Sequence, residues 1–194
     1  MDEIEYFLKS KEKALNSLIK AKNEKKLDED IEEIINIINS NKEYFTTSCC
    51  SGRIVLLEIP EIGDKKAAKF VGKWHRKIQY NELVESIKLA KYGMLWLLAQ
   101  SPIIHIITRS YFLANIIINI AISSGFKNSG FKSVKNNIIV EICSTERFDC
   151  PIGNNGKLLI SDEHLEFLLQ ISNHIINRSR KKLKKLEKNL KNFL

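Results

Sequence analysis

The sequence predicts an α+β fold: a single domain over residues 1–194 whose mixed, largely antiparallel sheet is flanked by helices and followed by a long basic C-terminal helix. Three observations predict it. Helical and strand periodicities both occur, but without the regular βαβ alternation of a doubly wound parallel sheet. Three prolines and eight glycines in 194 residues leave no Pro- or Gly-rich linker at which the chain would divide. A composition of 44% hydrophobic and 28% charged residues is globular, and the chain is long enough to bury a core without disulfides.

The elements follow in order. Two helices occupy residues 1–42. Ile4, Phe7, Leu8, Leu15, Leu18 and Ile19 trace one helical face, and Ile31, Ile34, Ile35 and Ile38 a second. Leu27-Asp28 opens the second helix, whose first turn is acidic, as the helix dipole favours. The period then drops to two. Tyr44–Ser48 and Arg53–Ile59 read as strands joined through Ser51-Gly52, and Lys69–His75 as a third after Pro60 and Gly63. Asn81–Lys91 reads as a helix with Gly93 as its C-cap. Met94–Leu98 and Ile103–Thr108 are apolar strands separated by Ser101-Pro102. Ser110 is placed to cap a helix over Tyr111–Ser123 that Gly125 ends. Gly130–Val134 and Ile138–Cys143 form a hairpin with its tip at Lys135-Asn136-Asn137. Asp149–Gly156 reads as a polar loop, Lys157–Ile160 as a short strand, and Ser161 as the cap of a final helix over residues 161–194.

Charge is unevenly placed. The net charge is +8, and eight cations lie between Arg178 and Lys191 against Glu187 alone, so the rest of the chain is nearly neutral. Leu183, Leu186, Leu190 and Phe193 mark an apolar stripe on that segment. Its basic opposite face is suited to nucleic-acid phosphates, or is simply a solvated helix end. Asp2, Glu3 and Glu5 argue against a secretory signal, and His105, Arg109 and Asn115 break the most apolar stretch, Ile103–Ile122, so it is a poor membrane span. Cys49, Cys50, Cys143 and Cys150 include no C-x-x-C pair; they read as reduced thiols of a cytoplasmic protein with no metal expected, a site assembled from distant Cys and His being the alternative.

Four segments concentrate chemistry. Thr46-Thr47-Ser48-Cys49-Cys50-Ser51-Gly52-Arg53 packs hydroxyls and thiols between two strands, and Arg53 adds a fork for carboxylate or phosphate; an ordinary turn is the plain alternative. Gly72-Lys73-Trp74-His75 joins a cation, a stacking ring and an imidazole, unless Trp74 is a core residue. His105 lies within an apolar strand and by alternation shares a face with Arg109, where a satisfied core histidine is the alternative. Gly125-Phe126-Lys127-Asn128-Ser129-Gly130 permits close backbone approach to a ligand but is neither G-x-G-x-x-G nor a P-loop.

Taken in order, these segments resemble the tRNA wybutosine-synthesizing methyltransferase family. The resemblance runs through Phe45–Arg53, Gly72–His75, Pro102-Ile103-Ile104-His105-Ile106, Gly125–Gly130, Pro151-Ile152-Gly153 and Leu159-Ile160-Ser161 into the last helix. The chain departs from the family at Ser48-Cys49, where two serines usually precede the Cys, at Gln100-Ser101, where an acidic residue is usual, and at His75-Arg76-Lys77. The resemblance implies a fold that is not that of a Rossmann methyltransferase. It also implies an S-adenosylmethionine-dependent methylation of ring nitrogen 4 of the 7-aminocarboxypropyl-demethylwyosine intermediate, at the guanosine 3′ of the anticodon of tRNA(Phe). On that reading His75 or His105 is the base. Ser48, Ser51, Gly52, Gly125 and Gly130 line the cofactor or the modified base. Arg53, Lys73, Trp74, Arg109, Arg180, Lys181 and Lys184 meet the tRNA. The competing readings are a non-catalytic RNA-binding module and an interaction protein whose final helix seeks a partner.

Overall fold

The structure, a computed structural model, describes residues 3–64, 66–134 and 137–194. Lys135 and Asn136 of the expected hairpin tip, like Met1 and Asp2, lie outside the described residues. The fold is α+β, and every pairing between described strands is antiparallel. Where the sequence suggested one sheet, the strands divide into two. Each belongs to its own compact unit, unit 1 comprising residues 1–51, 102–145 and 180–194 and unit 2 residues 52–101 and 146–179.

Unit 1 holds α1 (Glu3–Asn23), α2 (Glu29–Ser40), β1 (Tyr44–Cys50) and, from the second stretch, a strand, a helix and a hairpin. Unit 2 supplies β2 (Arg53–Ile59), β3 (Lys69–Trp74), α3 (Tyr80–Ile87) and β4 (Met94–Gln100). The chain then runs through β5 (Ile103–Thr108), α4 (Tyr111–Ser123), β6 (Gly130–Ser133) and β7 (Ile138–Cys143) of unit 1. It closes with β8 (Phe148–Asn154) and β9 (Lys157–Leu158) of unit 2, then α5 (Asp162–Phe193).

The sheet of unit 1 has the order β1-β5-β7-β6. Ile104 and Ile106 of β5 and Val140 and Ile142 of β7 face one way, onto Ile31, Ile34, Ile35 and Ile38 of α2, α4, and Leu183, Leu186 and Leu190 of α5. These four of the five α2 isoleucines are buried, each worth about 1.5–3 kcal/mol. Phe193, expected on the leucine stripe, is instead 65% exposed. Ser110 caps α4 by accepting the N–H of Leu113 (3.3 Å). Gly125 ends it in the left-handed region (φ +98°). The Phe126 N–H then reaches back to the Ala121 carbonyl and the Gly125 N–H to that of Ile122, each at 2.9 Å, with buried Phe126 sealing the turn.

The sheet of unit 2 has the order β3-β2-β4-β8-β9, and Ile54, Leu56, Leu95, Leu97 and Ile152 face α3 and the first part of α5. Here the sequence reading needs two corrections. Helix α3 stops at Ile87, short of Gly93. The buried Glu58 carboxylate accepts the backbone N–H groups of Lys91 and Tyr92, which draws the chain out of the helix early. Gly93 serves the turn into β4 instead, where a Cβ would sit 2.3 Å from the Ile59 carbonyl oxygen. The second correction is Asp149–Gly156, read as a loop, most of which is strand β8. Pro151 is tolerated because it lies on the border of the sheet, paired to Trp96 of β4 beside a register shift, while β9 covers only Gly153 and Asn154.

Candidate functional site

In unit 1 the pairing of β5 with β7 sets His105 opposite Glu141. Ile104 and Ile106 point to the core, so strand alternation turns His105 to the other face. There its Nε2 lies 2.6 Å from Glu141 Oε2, the two side chains being 25% and 23% exposed. Lys132 of β6 brings its ammonium to the same carboxylate oxygen at 3.1 Å. The hydrogen bond from His105, with that from Lys132, holds the Glu141 carboxyl below its ordinary range despite partial burial. A carboxylate accepts only, so it takes the Nε2 proton, and in the neutral imidazole the lone pair is at Nδ1. Gly130 stands opposite Glu141 on β6, and a Cβ there would meet nothing within 4 Å. His105 and Gly130, far apart in sequence, are thus neighbours across this face.

The other candidates of unit 1 are held differently. The N–H and hydroxyl of Ser51 both donate to Asp28 Oδ2, at 2.8 and 2.9 Å, so its donors are committed. Ser48 is exposed on β1, the border strand. Gly125 packs against Lys182, whose Cε lies 3.2 Å from where a Cβ would be, and Lys182 donates to Ser144 Oγ (2.7 Å). Arg109 pairs with Glu43 (3.0 Å) and Arg180 with Asp30 (2.8 Å). Lys181 and Lys184 are exposed on α5. Burial pushes the Cys49 thiol up to about 12, so it carries no thiolate near neutrality and is no nucleophile.

In unit 2, Arg53 and Lys73 lie on the sheet face turned from the core, since Arg53 pairs with Gln100 and Lys73 with Val55. Arg53 Nε donates to Gln100 Oε1 at 2.6 Å. The guanidinium lies 5.5 Å from the Phe70 ring centre and the Lys73 ammonium 6.0 Å from it. Trp74 pairs with Ile54 and turns to the core, its ring lying over Gly72, where a Cβ would be 2.2 Å from Cη2. The half-exposed ring on the Arg53 face is therefore Phe70. Trp96, on the same face by its pairing with Leu57, has a buried indole N–H that meets no acceptor among the described residues. Gly52 takes φ +94°, in the left-handed region that favours glycine. His75 follows directly on β3 and is half-buried.

Sequence reasoning missed Glu141, Lys132, Gln100 and Phe70. The positions sit in plain strand patterns, and only long-range register gives them partners.

Comparison with known proteins adds a separate line. The family described as "Methyltransferase TYW3" matches residues 9–192. A Pyrococcus furiosus protein named tRNA(Phe) 7-((3-amino-3-carboxypropyl)-4-demethylwyosine(37)-N(4))-methyltransferase 1 is 44% identical over 187 residues, 96% of this chain and 95% of its own. The Pyrococcus horikoshii protein of the same name is 45% identical over 184 residues, 94% of each chain. Among solved structures, the PH1069 protein from Pyrococcus horikoshii superposes with a TM-score of 0.91 at 43% identity, covering 98% of both chains. A hypothetical protein from Aeropyrum pernix gives 0.74 at 26% identity, over 85% of this chain and 98% of its own.

Proposed function

The chain belongs to the TYW3 methyltransferase family, and on that premise we propose that it methylates ring nitrogen 4 of the 7-aminocarboxypropyl-demethylwyosine next to the anticodon of tRNA(Phe), in the cytoplasm, with S-adenosylmethionine as donor. The observation that carries the reading is the His105–Glu141 pair, 2.6 Å apart beside the open space over Gly130.

The residues of unit 1 suit this donor. No side chain fills the space above Gly130, which stands opposite Glu141. Of the five positions that the resemblance suggests for the cofactor, Gly130 and the exposed Ser48 retain room for a ligand, and Gly52 is set by its backbone. Ser51 and Gly125 are committed to Asp28 and Lys182. When bound, S-adenosylmethionine supplies an electrophilic methyl group. The transfer then depends on alignment more than on covalent help.

The receiving nitrogen has to lose a proton. His105 takes it at Nδ1, and Glu141 stabilises the imidazolium that results. In unit 2, His75 is the competing base. Arg53 and Lys73 meet a phosphate or carboxylate, and Phe70 takes the stacking role that the sequence assigned to Trp74. Lys181 and Lys184 meet tRNA phosphates, whereas Arg109 and Arg180 are tied to Glu43 and Asp30.

The test is mass spectrometry of tRNA(Phe) carrying the demethyl intermediate after incubation with protein and S-adenosylmethionine. A gain of one methyl group is expected; its absence with folded protein and intact tRNA rejects the reading.

A further inference from the structure

We propose that unit 1 has a second RNA-binding site, for ribose and phosphate, where α4 meets the end of α5: a stripe of four lysines leading into an asparagine-lined groove. It rests on the reading above that the substrate is an RNA. The site lies on the helical side of the sheet, whereas His105 is on the opposite face.

The stripe is Lys181, Lys184, Lys185 and Lys188. Spacings of three, four and seven put all four on one side of α5, opposite the buried Leu183, Leu186 and Leu190. The other cations of this segment are engaged: Arg178 with Glu146, Arg180 with Asp30, Lys182 with Ser144, and Lys191 with Glu33 and Glu187. These four lysines have no ion pair or hydrogen bond among the described residues. Four uncompensated ammonium groups in one row select a polyanion.

The stripe continues into chemistry suited to RNA. Lys185, Asn189 and Phe193 recur every four residues, forming one wall of a cavity of about 570 Å³ whose other wall includes Asn119 and Ser123 of α4. No carboxylate lines it, and α4 contains no acidic residue. Asn189 gives its amide N–H to Ser124 Oγ (2.8 Å), which fixes the amide. Asn119 and Asn192 are exposed and offer both donors and acceptors, the combination a ribose 2′-hydroxyl answers. Phe193 adds a ring that is 65% exposed.

Two other occupants fit less well. An anionic membrane would need an apolar helix face to insert, and the leucine row of α5 is already spent in the core. A second copy would set four like charges against four.

Truncating the helix would remove Leu183, Leu186 and Leu190 from the core, so the test changes charge alone. Binding of an unmodified tRNA transcript is measured across salt concentrations for wild type, for K181Q/K184Q/K185Q/K188Q and for K9Q/K20Q/K26Q/K88Q. The last variant removes equal charge from ion-paired lysines. The slope of log affinity against log salt is expected to flatten by about three in the first variant only. F193A, at an exposed position, is expected to weaken binding about tenfold with little change of slope, and circular dichroism confirms that each variant is folded. Equal slopes in the two lysine variants, or no tRNA binding by wild type, overturn the site. So does a wild-type dimer that F193A dissociates while the slopes stay equal, which assigns the groove to a second copy. A flattened slope without any methyl transfer to the demethyl tRNA supports the site and rejects the proposed reaction instead.

Discussion

The two sheets carry different chemistry on the faces turned from their cores. In unit 1 that face holds a titratable pair, His105 and Glu141, 2.6 Å apart. In unit 2 it holds permanent cations, Arg53 and Lys73, gathered about the Phe70 ring. The first sets an imidazole against a carboxylate; the second can hold an anion or a flat ring. Antiparallel register makes both arrangements, setting His105 beside Glu141, 36 residues on, and Arg53 beside Gln100, 47 residues on. The contrast teaches that proton chemistry and recognition can be assigned to separate sheets and tested separately.

The largest effect should break or keep that division. His105→Ala is expected to lower single-turnover methyl transfer about 10²–10³-fold with tRNA affinity little changed. His75→Ala should have a far smaller effect; the reverse ranking moves the proton chemistry to unit 2. Glu141→Gln keeps the shape but loses the charge, and should slow turnover about tenfold and alter the pH–rate profile, which a merely structural role would not.

Next, Gly72→Ala should cost about 1–3 kcal/mol of stability, since the new methyl would press on the Trp74 ring. A thermal melt lowered by roughly 2–10 °C is the expected sign. No shift would show that Trp74 yields easily and is free for a stacking role. Arg53→Lys removes the Nε hydrogen bond to Gln100 and the guanidinium contact with Phe70, and should weaken tRNA binding about five- to tenfold while leaving the chemical step unchanged.

The smallest effect is in acid. Glu141 and Glu82 both have carboxyls held below the ordinary carboxylate range, Glu82 down to about 2 by Arg76 and the Gln79 N–H. A depressed folded value adds stability that is fully present above the unfolded value and lost as pH falls through the folded one. The denaturant-melt difference between wild type and Glu141→Gln should therefore shrink on going from about pH 7 to about pH 3. Glu82, in the first turn of α3 of unit 2, should still titrate near 2 by carbon NMR in that variant.

Much of this was legible in the chain. Strands β2, β5 and β7 and helix α4 fall where period and caps put them, because each signal is local: alternation, Ser110 before the helix, Gly125 after it. The end of α3 was not, because the capture of two backbone N–H groups by Glu58 reaches across more than thirty residues. Strand β8 was hidden by Pro151 and Gly153, whose turn signals hold everywhere except at a sheet border. At the candidate site, the motifs marked His105 and Arg53. Their partners Glu141 and Gln100 needed the register of β5 with β7 and of β2 with β4. Trp74 turns to the core and Phe70 away from it for the same reason: which face a strand residue takes depends on which neighbour is buried.

Pro151 has a consequence for the border of its sheet. A border strand normally displays a row of amide hydrogens that a strand from another molecule can pair with, the first step of an intermolecular ladder. In β8 that row is interrupted near its middle by a residue with no amide hydrogen, and beyond it two residues of β9 close the border. The residue that disguised the strand in the sequence thus removes one pairing group from this border of the five-stranded sheet, whose opposite border is β3.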